Sequence, residues 1–432
     1  MSRMNSIIRF PRSRPRAVAG ALALALATAA PLAPAGAQSP LPSENDAPVG
    51  PLTPGTASLM EQLRALGLAP EQEGMDPQGL YDPEPQPSMM EALRERQPPQ
   101  IEPDDPGEPL LALPPWIVPS YREEMRTIVR ELSRYARARD PGFAILVRGA
   151  EALALRDRRE AVLEAARAAQ AGLGAVDPDS PAAGVGEIAS GFVGAIDGLV
   201  LDGEFCGKPP MEPETLATLR DLDMALVSID HCVNQDDVGE ARRLAEEAGV
   251  LTLVDTDADG RMDTVPEQRP VGENADTITD PRQARTAVFL EDGSGFGDIS
   301  LLIGALRATN HDIVIINPFA IGGRALTAAQ VAELRYKRLG ARRLVIATFD
   351  IAMAREDAYY WQPPWRLGSP RWLSATVRDH PGTYFTEFWD PDWKAHLGDH
   401  FVGLMDLGFD GVLLEGLDAV RRWEAITPVT QD

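Results

Sequence analysis

Seven residues stand at or just past the ends of short apolar runs: Asp202, Asp230, Asp255, Glu291, Asn317, Asp350 and Glu415. Carboxyl groups brought together can divide acid from base, one with a raised pKa donating a proton while another stays ionised as nucleophile or base. Asp and Asn also favour loop starts for their own local hydrogen bonds, which accounts for some of these positions. All seven at one mouth would be costly unless a ligand, a cation or protonation relieved the like charges. A second motif, Asp255-Thr256-Asp257-Ala258-Asp259-Gly260-Arg261-Met262-Asp263, has the alternating carboxylates and turn glycine of a calcium loop. Its twelfth position is Pro266, so the usual bidentate Glu is missing. The expectation is a structural calcium ion on Asp255, Asp257, Asp259 and Asp263, or else an Asp-rich turn with no cofactor at all. Tyr359, Tyr360, Trp361, Trp365, Trp372, Trp389 and Trp393 crowd one segment. Aromatic faces there suit sugar rings, though core packing claims the same side chains. With five histidines in the chain and no Cys/His spacing, zinc chemistry finds no support.

The elements that would position these groups alternate. Apolar runs at Ala144–Val147, Gly198–Asp202, Ala225–Asp230, Val250–Asp255, Ala287–Glu291, Ile313–Asn317, Leu344–Phe349 and Gly411–Glu415 read as strands. Helical spacing follows at Glu160–Ala171, Pro213–Asp221, Val238–Gly249, Asp298–Thr309, Thr327–Leu339 and Trp393–Leu407, with a leading helix at Tyr121–Ala138. Near-continuous apolar strands alternating with helices predict a parallel sheet covered on both faces, an α/β fold. Eight such units in about 300 residues favour a (β/α)₈ TIM barrel over an open sheet. In that fold every strand ends on one face, so distant carboxylates converge.

The 432 residues are 44% hydrophobic and 25% charged, enough apolar material for a large core. The formal net charge is −24, which argues against nucleic acid as a partner and favours a cationic one. Residues 1–37 read as a secretory signal: Arg3, Arg9, Arg12, Arg14 and Arg16 precede an apolar run from Ala17 to Ala30 and the small-residue site Ala35-Gly36-Ala37. That run is too short for a spanning helix, so a periplasmic or secreted protein without a transmembrane segment is expected after cleavage. Residues 38–118 hold nearly half of the 38 prolines and read as an acidic, largely disordered spacer ahead of the domain at 119–426. Cys206 and Cys232 each lie just beyond a strand end, and in an oxidising compartment they form a disulfide or remain buried thiols.

Trp389-Asp390-Pro391-Asp392-Trp393 followed by Gly408-Phe409-Asp410-Gly411-Val412-Leu413-Leu414-Glu415-Gly416-Leu417-Asp418 resembles the signature of glycoside hydrolase family 114, the endo-α-1,4-polygalactosaminidase-like barrels. Pro141-Gly142-Phe143, Ala195–Asp202 and Leu344–Trp361 resemble further segments of that family. Segments similar to family strands five to eight come first here and those similar to strands one to four come last. The resemblance therefore implies a circular permutation, with Val265–Ala287 joining the old ends. It also implies an acid pair, Glu415 and Asp202, with their side-chain lengths exchanged relative to the family, acting on a polysaccharide such as a cationic amino-sugar polymer. Asp230, Asn317, Asp350, Trp361, Trp389 and Asp418 are the candidate substrate-binding residues, with His231 also in reach as a subsite. Asn317 stands where the family has Asp, Met353 where it has Glu, and Gly149 where it has Asn. Those departures leave open a catalytically silent carbohydrate-binding or envelope-associated barrel.

Overall fold

The computed structural model describes residues 113–429, apart from 233, 257–260, 267 and 379. The signal segment and most of the spacer expected from the sequence lie outside the described residues. Strands β1 (Ala144–Arg148), β2 (Gly198–Asp202), β3 (Ala225–His231), β4 (Leu251–Asp255), β5 (Ala287–Leu290), β6 (Ile313–Ile316) and β7 (Leu344–Asp350) follow in order. A small antiparallel sheet comes next, β8 (Met353–Arg355), β9 (Leu373–Thr376) and β10 (Thr383–Thr386), and then β11 (Gly411–Glu415). The large sheet runs β4-β3-β2-β1-β11-β7-β6-β5 with parallel pairing throughout. Each strand thus neighbours its predecessor in the ring and the first pairs with the last. Only the seam between β4 and β5 lacks a ladder among the described residues, so the fold is a nearly closed eight-stranded α/β barrel of the TIM type.

Alternation sorts the side chains. Leu146, Val200, Val227, Ile229, Leu253, Phe289, Ile315, Ile346 and Leu413 fill the barrel. Their neighbours Ile145, Val147, Leu199, Leu201, Val314, Val345 and Leu414 face the helices. Each such side chain contributes about 1.5–3 kcal/mol on burial. Helix α1 (Tyr121–Arg139) lays Met125, Ile128, Val129 and Leu132, all fully buried, into that outer layer. Its N-terminal approach belongs to the domain as well. Val118 is in the core, and Arg167 donates to the Val118 carbonyl and to Ser120 Oγ. The other principal outer helices are α2 (Arg158–Gln170), α3 (Gln235–Ala248), α4 (Ile299–Arg307), α5 (Pro391–Leu407) and α6 (Ala419–Ile426). No helix among the described residues is long and apolar enough to cross a membrane.

Where strands begin, one device recurs: an Asp just before a strand accepts a backbone N–H at the start of the neighbouring strand and pairs with a cation. Asp197 takes Ile145 N (2.8 Å) and Arg137 (3.1 Å); Asp410 takes Val345 N (3.1 Å) and Arg342 (2.6 Å). Asp312 takes Arg285 N (2.7 Å), Thr286 N (3.1 Å) and the buried ammonium of Lys337. The glycines that follow Asp410 and Asp197 are obligatory for space. A Cβ at Gly411 would lie 2.8 Å from Ala144 Cβ and Ile346 Cδ1, and one at Gly198 would lie 2.7 Å from Leu146 Cδ2.

Candidate active site

Counting by twos from the interior residues of each strand reaches one polar side chain at the C-terminal end of every barrel strand. These are Arg148, Asp202, His231, Asp255, Glu291, Asn317, Asp350 and Glu415. Period 2 places all eight toward the barrel axis, around the mouth where such barrels carry chemistry.

At the centre stands Arg148. Its Nε donates to Asp202 Oδ1 and its Nη1 to Glu415 Oε1, both at 2.9 Å. One planar guanidinium therefore holds both expected catalytic carboxylates, β2 on one side and β11 on the other. The guanidinium also lies 5.6 Å over the Phe289 ring, which reaches it from the opposite wall of the barrel. Asp202 and Glu415 expose 27% and 19% of their side chains, so a ligand in the mouth can touch both. Burial pushes the Glu415 carboxyl up to about 7. Arg148 opposes the shift, and Glu291 and Asp350 add to it by like-charge repulsion. Burial likewise lifts Asp350 to about 6 against two backbone donors, and raises Asp418 with a contribution from Asp202. Burial thus makes Glu415 hold a proton more tightly than an ordinary carboxylic acid, beside Asp202 on the same guanidinium.

The other candidates divide. Asp350 accepts from Ala352 N (2.9 Å) and Met353 N (2.8 Å), level with Glu415 in the β7–β11 register. Asp418 opens α6 beside Gly149, whose absent Cβ would stand 3.6 Å from Asp418 Cβ. Asn317 Oδ1 accepts from Phe319 N (2.9 Å), tying the loop after β6. Asp230 has the opposite parity to His231 and is fully buried. Its oxygens accept from Phe205 N (2.8 Å), Cys206 N (3.1 Å) and Thr252 Oγ1 (2.7 Å). It shapes the loop after β2. Cys206 and Cys232 form a disulfide across the same loop, with Cα atoms 5.6 Å apart, and Lys208 Nζ comes to 4.0 Å from Asp202 Oδ2.

Trp361 stacks on Tyr384 at 5.3 Å, beside the small sheet. Trp389 is enclosed by Tyr121 (4.9 Å) and Trp423 (4.6 Å), and Trp372 and Trp393 are buried outright, so packing takes most of the aromatic segment. Of the calcium loop, Asp257 and Asp259 lie outside the described residues, while Asp255 Oδ2 is 2.9 Å from His231 Nδ1. Among the described residues no group of three or more His, Cys, Asp or Glu is placed to hold a metal ion.

Arg148 was not singled out by composition or motif, and His231 and Asp255 were named separately rather than as a pair. The signal that finds them is parity: Arg148 follows Leu146 by two, and His231 follows Ile229 by two.

No family model matches the chain. An uncharacterised protein of Deinococcus radiodurans is 30% identical over 129 residues, 30% of this chain and 40% of its own length. One of Thermotoga maritima is 30% identical over 78 residues, 18% of this chain and 24% of its own. A third, of Methanocaldococcus jannaschii, is 29% identical over 121 residues, 28% of this chain and 34% of its own. The chain spans 40% or less of the length of each of these relatives.

Proposed function

We propose that the protein is a secreted glycoside hydrolase acting on a polysaccharide with cationic amino-sugar units, with Glu415 as proton donor and Asp202 as the ionised partner. The observation that carries this reading is the single guanidinium, 2.9 Å from each of two carboxylates at one barrel mouth, with the Glu415 carboxyl held up at about 7. Glycosidic hydrolysis needs that division: a protonated acid for the leaving oxygen, and a carboxylate that attacks the anomeric carbon or activates water. Glu415 gives its proton to the glycosidic oxygen as the bond breaks. Asp202, 2.9 Å from the Arg148 Nε, meets the positive charge that develops on the ring. Glu291, Asp350 and Asp418 add the acidic surround that favours an ammonium-bearing sugar. The disulfide supports an oxidising compartment and hence export.

Descent by circular permutation from a family 114-like barrel is part of the proposal. The seam between β4 and β5 supports it, because the permuted order makes those strands eight and one, where an unpermuted chain has its ends.

The test is release of reducing ends from galactosamine, glucosamine and uronic-acid polymers. Turnover is expected on an amino-sugar polymer, with Glu415→Gln and Asp202→Asn each slower by about 10²–10⁴-fold. Equal rates in wild type and both variants would overturn the assignment. One observation favours a second reading, a silent sugar-binding barrel: Asn317, which stands where the resembled family has Asp, spends its Oδ1 on Phe319 N. Sugar binding without turnover on any polymer would establish that reading.

A further inference from the structure

The mouth contains a second built group that the acid pair does not use. His231 and Asp255 close neighbouring strands and face each other in the β3–β4 register. Nδ1 of His231 lies 2.9 Å from Asp255 Oδ2. An ionised carboxylate only accepts, so the ring proton sits on Nδ1 and, in the neutral ring, Nε2 is left as an acceptor. Among the described residues Nε2 has no hydrogen-bond partner, and 38% of the side chain is exposed, against 6% for Asp255. The mounting is rigid. Cys232, the next residue, is cross-linked to Cys206, and its N–H donates to the Asp255 carbonyl at 2.9 Å. Gly207 closes over the backbone, where a Cβ would come to 3.3 Å from His231 O. Ile229, the partner of Asp202 in the β2–β3 register, is two residues before His231 on the same face, so the imidazole stands one step outward from the Asp202 level. A fixed acceptor at that height meets a sugar lying beside Asp202.

We propose that His231 is a substrate-positioning residue: oriented by Asp255, its Nε2 accepts a hydrogen bond from a hydroxyl or ammonium group of the sugar seated next to Asp202. The proposal rests on the glycoside-hydrolase reading and names the acceptor that holds the sugar for it. Asp255→Asn replaces an obligate acceptor by an amide whose NH2 can donate to Nδ1, so the tautomer is no longer fixed and Nε2 can become a donor, which an ammonium group cannot accept.

The test combines kinetics with ¹⁵N-histidine NMR on the full chain, with a galactosamine oligomer as probe. Wild type should show the His231 ring protonated at Nδ1, and saturating oligomer should shift the Nε2 resonance. His231→Ala and Asp255→Asn should each raise KM about 10-fold, the loss of one hydrogen bond, with kcat changed less than about 3-fold. His231→Gln, whose amide oxygen can stand near Nε2, should recover part of KM. A lowered melting temperature with unchanged KM in His231→Ala, or no Nε2 shift at saturation while turnover persists, would overturn the proposal and leave the hydrolase reading intact. An Nε2 shift without turnover on any polymer would sustain the subsite and sink the hydrolase.

Discussion

The two ends of the barrel treat buried charge differently. Where strands begin, each acid is matched: Asp312 and Lys337, both wholly buried, neutralise each other, and Asn274 Nδ2 and two backbone N–H groups fill the remaining acceptor sites. Asp410 is matched by Arg342 and a backbone N–H, and Asp197 by Arg137 and another. Where strands end, Asp202 and Glu415 share Arg148, Glu291 and Asp350 add like-charge repulsion at Glu415, and burial raises the pKa of Glu415, Asp350 and Asp418. Balanced charge at one end holds the ring of strands together. Unbalanced charge at the other is what the proposed cationic ligand would relieve. The same short motif contributes to both: in Asp410–Glu415 the first acid ties the strand start and the last faces the mouth, as Asp197 and Asp202 do at β2.

Breaking the balanced end should have the largest effect on stability. Lys337→Ala leaves Asp312 buried without its cation and should cost about 3–5 kcal/mol, read by chemical denaturation. Next comes the cross-link that shapes the mouth. Replacing Cys206 and Cys232 by Ser frees a loop of sequence separation 26 and should cost about 3 kcal/mol, with the same loss in wild type under reductant.

The acidic end should respond in the opposite sense. Glu415 holds its proton at about 7 when folded and in the ordinary carboxylate range, about 4.3, when unfolded. The folded state binds that proton more tightly, so this contribution is fully present below about pH 4 and is lost as pH rises to about 7. Glu415→Gln removes the ionisation. It should match wild type near pH 4 and exceed it by about 1–3 kcal/mol at pH 8. A variant less stable at pH 8 would mean that the Arg148 pairing outweighs burial. The smallest effect belongs to the exposed rim. Asp357→Asn, which loses the half-exposed pair with Arg355, should change stability by under about 1 kcal/mol.

How much of this was legible in the sequence follows from the same physics. The eight barrel strands begin and end within a residue or so of the apolar runs, because strands covered on both faces leave no room for polar interruptions. The small sheet of Met353–Thr386 was not legible: its strands are three or four residues long and separated by Pro- and Gly-containing turns. Glu415 and Asp202 could be named as a pair through the family resemblance, whereas Arg148 lies just past the run Ala144–Val147 and belongs to no motif. Asp230 resembled the other strand-end carboxylates in composition, yet its parity turns it away from His231 and into the backbone of the next loop. Trp389 was legible as an aromatic near a signature motif, but its enclosure by Tyr121 and Trp423 depends on helices far apart in the chain.

The most direct measurement is a crystal structure of Glu415→Gln with a bound galactosamine oligomer. A glycosidic oxygen within hydrogen-bond reach of residue 415, with the adjoining anomeric carbon facing Asp202, is the expected result. An oligomer seated away from the barrel mouth, or bound there with no glycosidic bond between the two side chains, would contradict the account.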